Sequence, residues 1–165
     1  MTRTHLRAAD LDGPALVEGA LTYLRGVRYA ERAVALCFLP YPGLLPVEMI
    51  DRQAREFDEI DTALLIVASG ARPLHRLWAA RGDKPRAPVL GDVGGRLHRA
   101  LRVAIVEPAL RCHTIVVDRT GVLRLRVSHD FVEHDLAVLR ETIDAAHRFA
   151  ADADSPRTGA ACLPA

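Results

Sequence analysis

Between Val34 and Leu39 the run VALCFL is apolar without interruption, and Pro40, Pro42 and Gly43 follow it. A short unbroken apolar run closed by turn residues predicts a buried strand that ends in a loop. After Pro46 the period changes. Val47, Ile50, Ala54 and Phe57 fall three or four apart, while Glu48, Asp51, Arg52, Arg55 and Glu56 take the other positions, as an amphipathic helix requires. Pro46 stands where a helix tolerates proline, at its start. Ala63 to Ala68 reads ALLIVA, a second buried strand, and Pro73 to Arg81 predicts a helix with Leu74, Leu77 and Trp78 on one side.

Further along, Pro88 to Leu90 predicts a brief strand, Arg96 to Leu101 a short helix, and Thr114 to Val117 a third major strand. That strand turns at Asp118, Arg119, Thr120 and Gly121, and Val122 to Val127 returns as its hairpin partner. The last long helix carries Val132, Leu136, Leu139, Ile143 and Ala146 at helical spacing. Strand, helix, strand, helix, then a β-hairpin and a closing helix is the thioredoxin arrangement. The expected fold class is therefore α/β, thioredoxin-like, with a central mixed β-sheet and helices on both faces. The domain is expected over residues 34–150, after an extension, 1–33, whose PALVEGALTYLRG reads either as a short helix or as a worn β-hairpin. Residues 151–165, rich in Asp, Ser, Pro, Gly and Ala, are expected to form a flexible tail.

Composition narrows the function classes. A chain of 165 residues suits one domain. A formal charge of +1 with mixed signs creates no field that would gather nucleic acid or an anionic membrane. No apolar run is long enough to span a bilayer, and the polar opening MTRTHLRAADLD has no signal-peptide apolar region, so a cytoplasmic location is expected. Three cysteines, Cys37, Cys112 and Cys162, are odd in number and lack close C-x-x-C spacing. His98, His113, His129 and His134 make no recognisable metal spacing, and Gly94-Gly95 lacks the fingerprint of a phosphate loop, so neither a metal nor a nucleotide cofactor is expected.

Taken in order, VALCFLP followed by PVE, ALLIVASGARPLHRLWAA, PVLGD and TIVVDRTGVLRLRV resemble the peroxiredoxin (alkyl hydroperoxide reductase and thiol-specific antioxidant) superfamily, most of all its one-cysteine bacterial branch. The resemblance runs from about Val34 to Ala146. It implies a P-x-x-x-T-x-x-C loop with a Glu or Gln three residues beyond the cysteine, and Pro40 and Glu48 fit its ends. Counting back from Glu48 puts Leu45 at the cysteine and Pro42 at the threonine, with the loop two residues short. The family arginine, six residues before the aspartate of the VVD-x-x-G turn, falls on Cys112, with Arg111 beside it. A helix N-terminus stabilises a thiolate through its unpaired N–H groups, and leucine offers no thiol. The resemblance thus implies a lineage whose threonine, peroxidatic cysteine and arginine are all replaced.

Several candidate residues follow. A remodelled pocket is expected from Pro40, Pro42, Leu44 and Leu45, together with Arg111 and Cys112, greasy enough for an apolar small molecule. Arg111 is the candidate to polarise an oxygen, and Glu48, with a histidine, the candidate to move a proton. An alternative moves the nucleophile to Cys112 or Cys37, resolved by Cys162 or an external thiol; against it stands an inert buried thiol at either position. A further alternative is a partner-binding relic without catalysis. By alternation His113 faces away from Cys112. His75 and Trp78 are expected to be structural, and family analogy implies a homodimer.

Overall fold

A computed structural model describes residues 5–39, 46–104 and 111–154, with side chains described as far as Phe149. Among these residues seven strands form one mixed sheet: β1 (Gly13–Val17), β2 (Ala20–Leu24), β3 (Ala33–Leu39), β4 (Thr62–Ala68), β5 (Val89–Gly91), β6 (Arg111–Val117) and β7 (Leu123–Asp130). Their spatial order is β2-β1-β5-β4-β3-β6-β7. β3 pairs in parallel with β4, and β4 with β5, while the two flanking hairpins and their junctions are antiparallel. Among the described residues four α-helices accompany the sheet: α1 (Val47–Asp58), α2 (Ala71–Ala79), α3 (Arg96–Ala100) and α4 (Glu133–Asp154).

Every residue of β3 and β4 is buried, because helices or turns cover both faces of the central strands. Successive side chains of β3 therefore feed two cores. Ala35, Cys37 and Leu39 join Ile50 and Phe57 of α1, Leu74 and Leu77 of α2, and Leu136, Leu139 and Ile143 of α4. Val34, Leu36 and Phe38 join Leu6, Leu11, Tyr29, Leu97 and Leu101 on the other face. That face is closed by α3 and by 3-10 turns at Ala8–Leu11 and Gly26–Tyr29.

The structure resolves the two readings of PALVEGALTYLRG in favour of the hairpin. β1 and β2 pair in full register from Gly13↔Leu24 to Val17↔Ala20, and β1 also pairs with β5, so the segment belongs to the main sheet. Two apolar residues depart from expectation. Trp78 is 42% exposed rather than grouped with Leu74 and Leu77, since one further residue turns it about 100° around α2, away from the sheet. Val132 is exposed because α4 begins one residue later, at Glu133. α4 also runs to Asp154, four residues into the segment expected to be a tail.

Candidate functional site

β3 leads toward the segment holding Pro40, Pro42, Leu44 and Leu45, and α1 leaves it. Those four residues, with Gly43 and Cys162, lie outside the described residues. The described surroundings are the end of β3, the first turn of α1 and the start of β6. Pro46 caps α1, which carries Glu48 exposed in its first turn. A carboxylate there is favoured by the helix dipole.

The three candidate catalytic side chains meet different environments. Cys112 is 0% exposed and lies in the core with Cys37, itself 1% exposed. Cys37 stands opposite Thr114 on the β3–β6 ladder, so Cys112, two residues earlier, is its diagonal neighbour on the same face. The Cys37 side chain hydrogen-bonds to Cys112, which, with burial and the nearby Asp130 charge, pushes the Cys112 thiol far above its ordinary value. A thiol held protonated is a poor nucleophile. Arg111 points the other way by alternation, 68% exposed, with its Nε 3.8 Å from Asp130 Oδ1. It therefore does not take the place that Cys112 occupies. We expect that, with Cys162 replaced by serine, a thiol-labelling reagent will modify the native protein only at the rate of its unfolding; fast labelling of Cys37 or Cys112 would contradict the burial.

Polar residues lie on both faces of this part of the sheet, in pairings that sequence spacing does not show. His129 lies opposite Cys112 in the β6–β7 register, and its Nε2 is 2.8 Å from Thr114 Oγ1 while its Nδ1 is 2.9 Å from the Asp130 carbonyl. On the opposite face, where alternation places it, His113 stands across from Phe38 and Ser128, with Nδ1 2.7 Å from Ser128 Oγ. Burial lowers the pKa of His113, and Arg126, His129, Arg111 and His98 add to the effect. Phe38 meets the His98 ring edge-on at 4.9 Å. His98 Nδ1 is in turn 2.7 Å from Asp92 Oδ2.

Gln53, on the inward side of α1, is 2% exposed and its Nε2 has no hydrogen-bond partner. Its polarity hid it from a reading keyed to apolar spacing. His75 and Trp78 pack ring to ring at 5.6 Å on the surface of α2. Among the described residues no group of three or more His, Cys, Asp or Glu side chains could hold a metal ion, and no helix is long and apolar enough to cross a membrane.

A mixed sheet with a parallel centre, an antiparallel hairpin at its end and helices on both faces defines a thioredoxin-like fold. Solved structures agree: Enterococcus faecalis AhpC superposes with a TM-score of 0.72 over 98% of both chains at 17% identity. The reduced 2-Cys peroxiredoxin of Plasmodium vivax gives 0.65 over 85% of this chain and 93% of its own, at 16% identity. Among curated sequences, alkyl hydroperoxide reductase E of Mycobacterium tuberculosis (strain ATCC 25618 / H37Rv) is 30% identical over 110 residues, covering 63% of this chain and 71% of that protein. The same protein from Mycobacterium bovis matches equally. No family model matches. The chain belongs to the alkyl hydroperoxide reductase, or peroxiredoxin, family.

Proposed function

We propose that this peroxiredoxin-family protein lacks the peroxidatic cysteine, is not a thiol peroxidase, and binds or transforms an apolar small molecule in the pocket where its relatives carry their thiol. The observation that carries this reading is the state of the described cysteines: both are sealed in the core, and the Cys112 thiol is held protonated by Cys37 and burial. A relocated nucleophile would need the opposite, an accessible thiol with a lowered pKa. Since the sequence holds no cysteine between Cys37 and Cys112, the segment joining β3 to α1 brings none.

In this reading Leu44, Leu45, Pro40 and Pro42 supply apolar contacts, and Cys112 stays an inert thiol of the core. Arg111 would have to leave its exposed partner Asp130 and be turned to the other face of β6 by a local bulge to polarise a substrate oxygen. Glu48, at the mouth of α1, would move the proton. The protein is taken to work in the cytoplasm as a homodimer, for which the sheet offers two edge strands, β2 and β7.

The test is hydroperoxide consumption with a dithiol reductant, run on the native chain and on Cys37→Ser, Cys112→Ser and Cys162→Ser. Rates at the buffer background in all four are expected. A cysteine-dependent rate that one of these changes abolishes would overturn the proposal. In parallel, apolar small molecules are expected to shift the methyl resonances of Leu39 saturably, and Leu45→Asp to remove those shifts; Leu39 shifts that survive it would overturn the pocket assignment.

A further inference from the structure

The sheet ends in two unlike edges, β7 and β2. β7 is protected in the ways that edge strands ordinarily are: Arg124, Arg126 and Asp130 stand exposed along it, and a register shift interrupts its pairing with β6 opposite Val116 and Val117. β2 carries neither device. From Gly19 to Leu24 the chain reads GALTYL, with no charge and no proline, and its pairing with β1 runs without a bulge. Ala20, Leu21, Thr22 and Tyr23 are all exposed. Leu21 and Tyr23 are the large apolar side chains among them, 43% and 57% exposed. Two apart on one strand, they share a face. It is the face that α2 covers further in, since Leu21 stands opposite Leu16, which shares a core with Leu74 and Leu77.

Hydrogen bonding fixes which backbone groups face outward. Val17 and Ala20 flank the two-residue turn Glu18-Gly19, and the pair flanking such a turn exchanges both of its hydrogen bonds. Alternation from there turns the N–H and C=O groups of Ala20, Thr22 and Leu24 toward β1, and those of Leu21 and Tyr23 toward the open edge. Pro14, with no N–H to give, stands opposite Tyr23, where the β1–β2 ladder needs none. A second copy of β2, run antiparallel about a two-fold axis beside Thr22, meets the outward groups in order. Leu21 falls opposite Tyr23 of the second copy, and Tyr23 opposite its Leu21, each pair exchanging both hydrogen bonds. The apolar side chains of these residues then meet across the seam. So do opposite charges. The same axis sets Gly19 opposite Arg25 of the second copy, so the exposed Glu18 at the hairpin tip comes beside an exposed guanidinium that its own chain holds loosely, 3.4 Å from Asp12.

We propose that β2 is a homodimer seam: two copies of this chain join antiparallel, edge to edge, through Leu21 and Tyr23, making one sheet continuous across both. This rests on the homodimer reading above and adds which edge carries it; it depends on nothing proposed for Cys112, Arg111 or Leu45.

Sedimentation equilibrium of the full chain is expected to give a dimer, and Leu21→Pro to weaken it more than about ten-fold, the order for two lost interchain hydrogen bonds. The proline removes an N–H that β1 does not use, so the far-UV circular dichroism of the variant should match the native protein's. The register is read in the Cys162→Ser background. Across the axis Thr22 faces its own copy at about 4.5 Å between Cα atoms, within disulfide reach, so Thr22→Cys should cross-link with oxidised glutathione. Ala20→Cys, about 14 Å from its copy by strand rise, should not. The cross-links decide the register whether or not the proline variant folds. A monomeric native chain would overturn the homodimer reading and this seam with it. A dimer in which Thr22→Cys does not cross-link, or Ala20→Cys cross-links as readily, would overturn the seam alone. So would a folded Leu21→Pro that dimerises at native strength.

Discussion

Asp92→Ala is expected to lower the stability of the fold by about 3 kcal/mol at neutral pH, the scale for removing one partner of a buried polar pair. Asp92 is 4% exposed. Its carboxylate accepts from the N–H groups of Leu97 and His98, each at 3.0 Å, and lies 2.7 Å from His98 Nδ1. Alanine would leave two backbone donors and a ring nitrogen to find new partners inside a core. The His98 ring, no longer held, would also lose its edge-on contact with Phe38. The effect should depend on pH in a defined direction. Burial alone would raise the Asp92 pKa, but the hydrogen bonds from the His98 ring and from the His98 and Leu97 N–H groups outweigh it and hold the carboxyl below its ordinary range. A group with a depressed folded pKa stabilises fully above its unfolded value, near pH 4, and loses that contribution as pH falls through the folded value. Urea unfolding of the native chain and the variant at pH 7, and again below pH 4, should show the gap narrowing in acid. A loss under about 1 kcal/mol at pH 7, less than one hydrogen bond to a buried charge is worth, would contradict the assignment.

The central strands and long helices were legible because their patterns are unambiguous: β3 and β4 are buried on both faces and read as unbroken apolar runs, and α1 repeats its apolar residues at helical spacing. The first hairpin was not, for two local reasons. β2 is an edge strand with only Leu24 buried, so it shows no clean alternation. Its turn is Glu18-Gly19, both with positive φ, 50° and 81°; the geometry is that of a tight hairpin turn, but glutamate is not among the residues that announce one. The face of Cys112 was expected from the family resemblance, with alternation setting its neighbours Arg111 and His113 opposite, whereas its depth was not legible, because that is set by α1 and α4 packing over it. The Asp92–His98 pair was hidden by a kink. Gly94 and Gly95 reverse the chain between them, with φ of 72° and 66°, bringing Asp92 back onto the first turn of α3. A reading of helical or strand periods has no means of placing that contact.

Gly26→Ala should destabilise the fold by about 3 kcal/mol, the upper end for forcing atoms into a well-packed place. A Cβ on Gly26 would stand 1.8 Å from the Ala8 carbonyl oxygen and 2.8 Å from both the Ala8 carbonyl carbon and Leu11 Cβ. The nearest obstacle is backbone, so no rotamer change relieves it. The chain that follows Ala8 is held in place. The Gly26 N–H donates to Asp12 at 2.7 Å, and the Arg96 guanidinium donates to the carbonyls of Asp10 and Asp12 at 2.8 and 3.0 Å. Moving Ala8 outward would draw Leu6 and Leu11 from the core they fill against Val34 and Leu36. Gly94→Ala is the control. It too has a positive φ, but an added Cβ meets nothing within 4 Å, so its cost is the backbone strain of a left-handed residue, about 1 kcal/mol. Denaturant midpoints of the two variants separate steric closure from conformational strain. If Gly26→Ala unfolds no earlier than Gly94→Ala, the backbone at Ala8 does not press on Gly26.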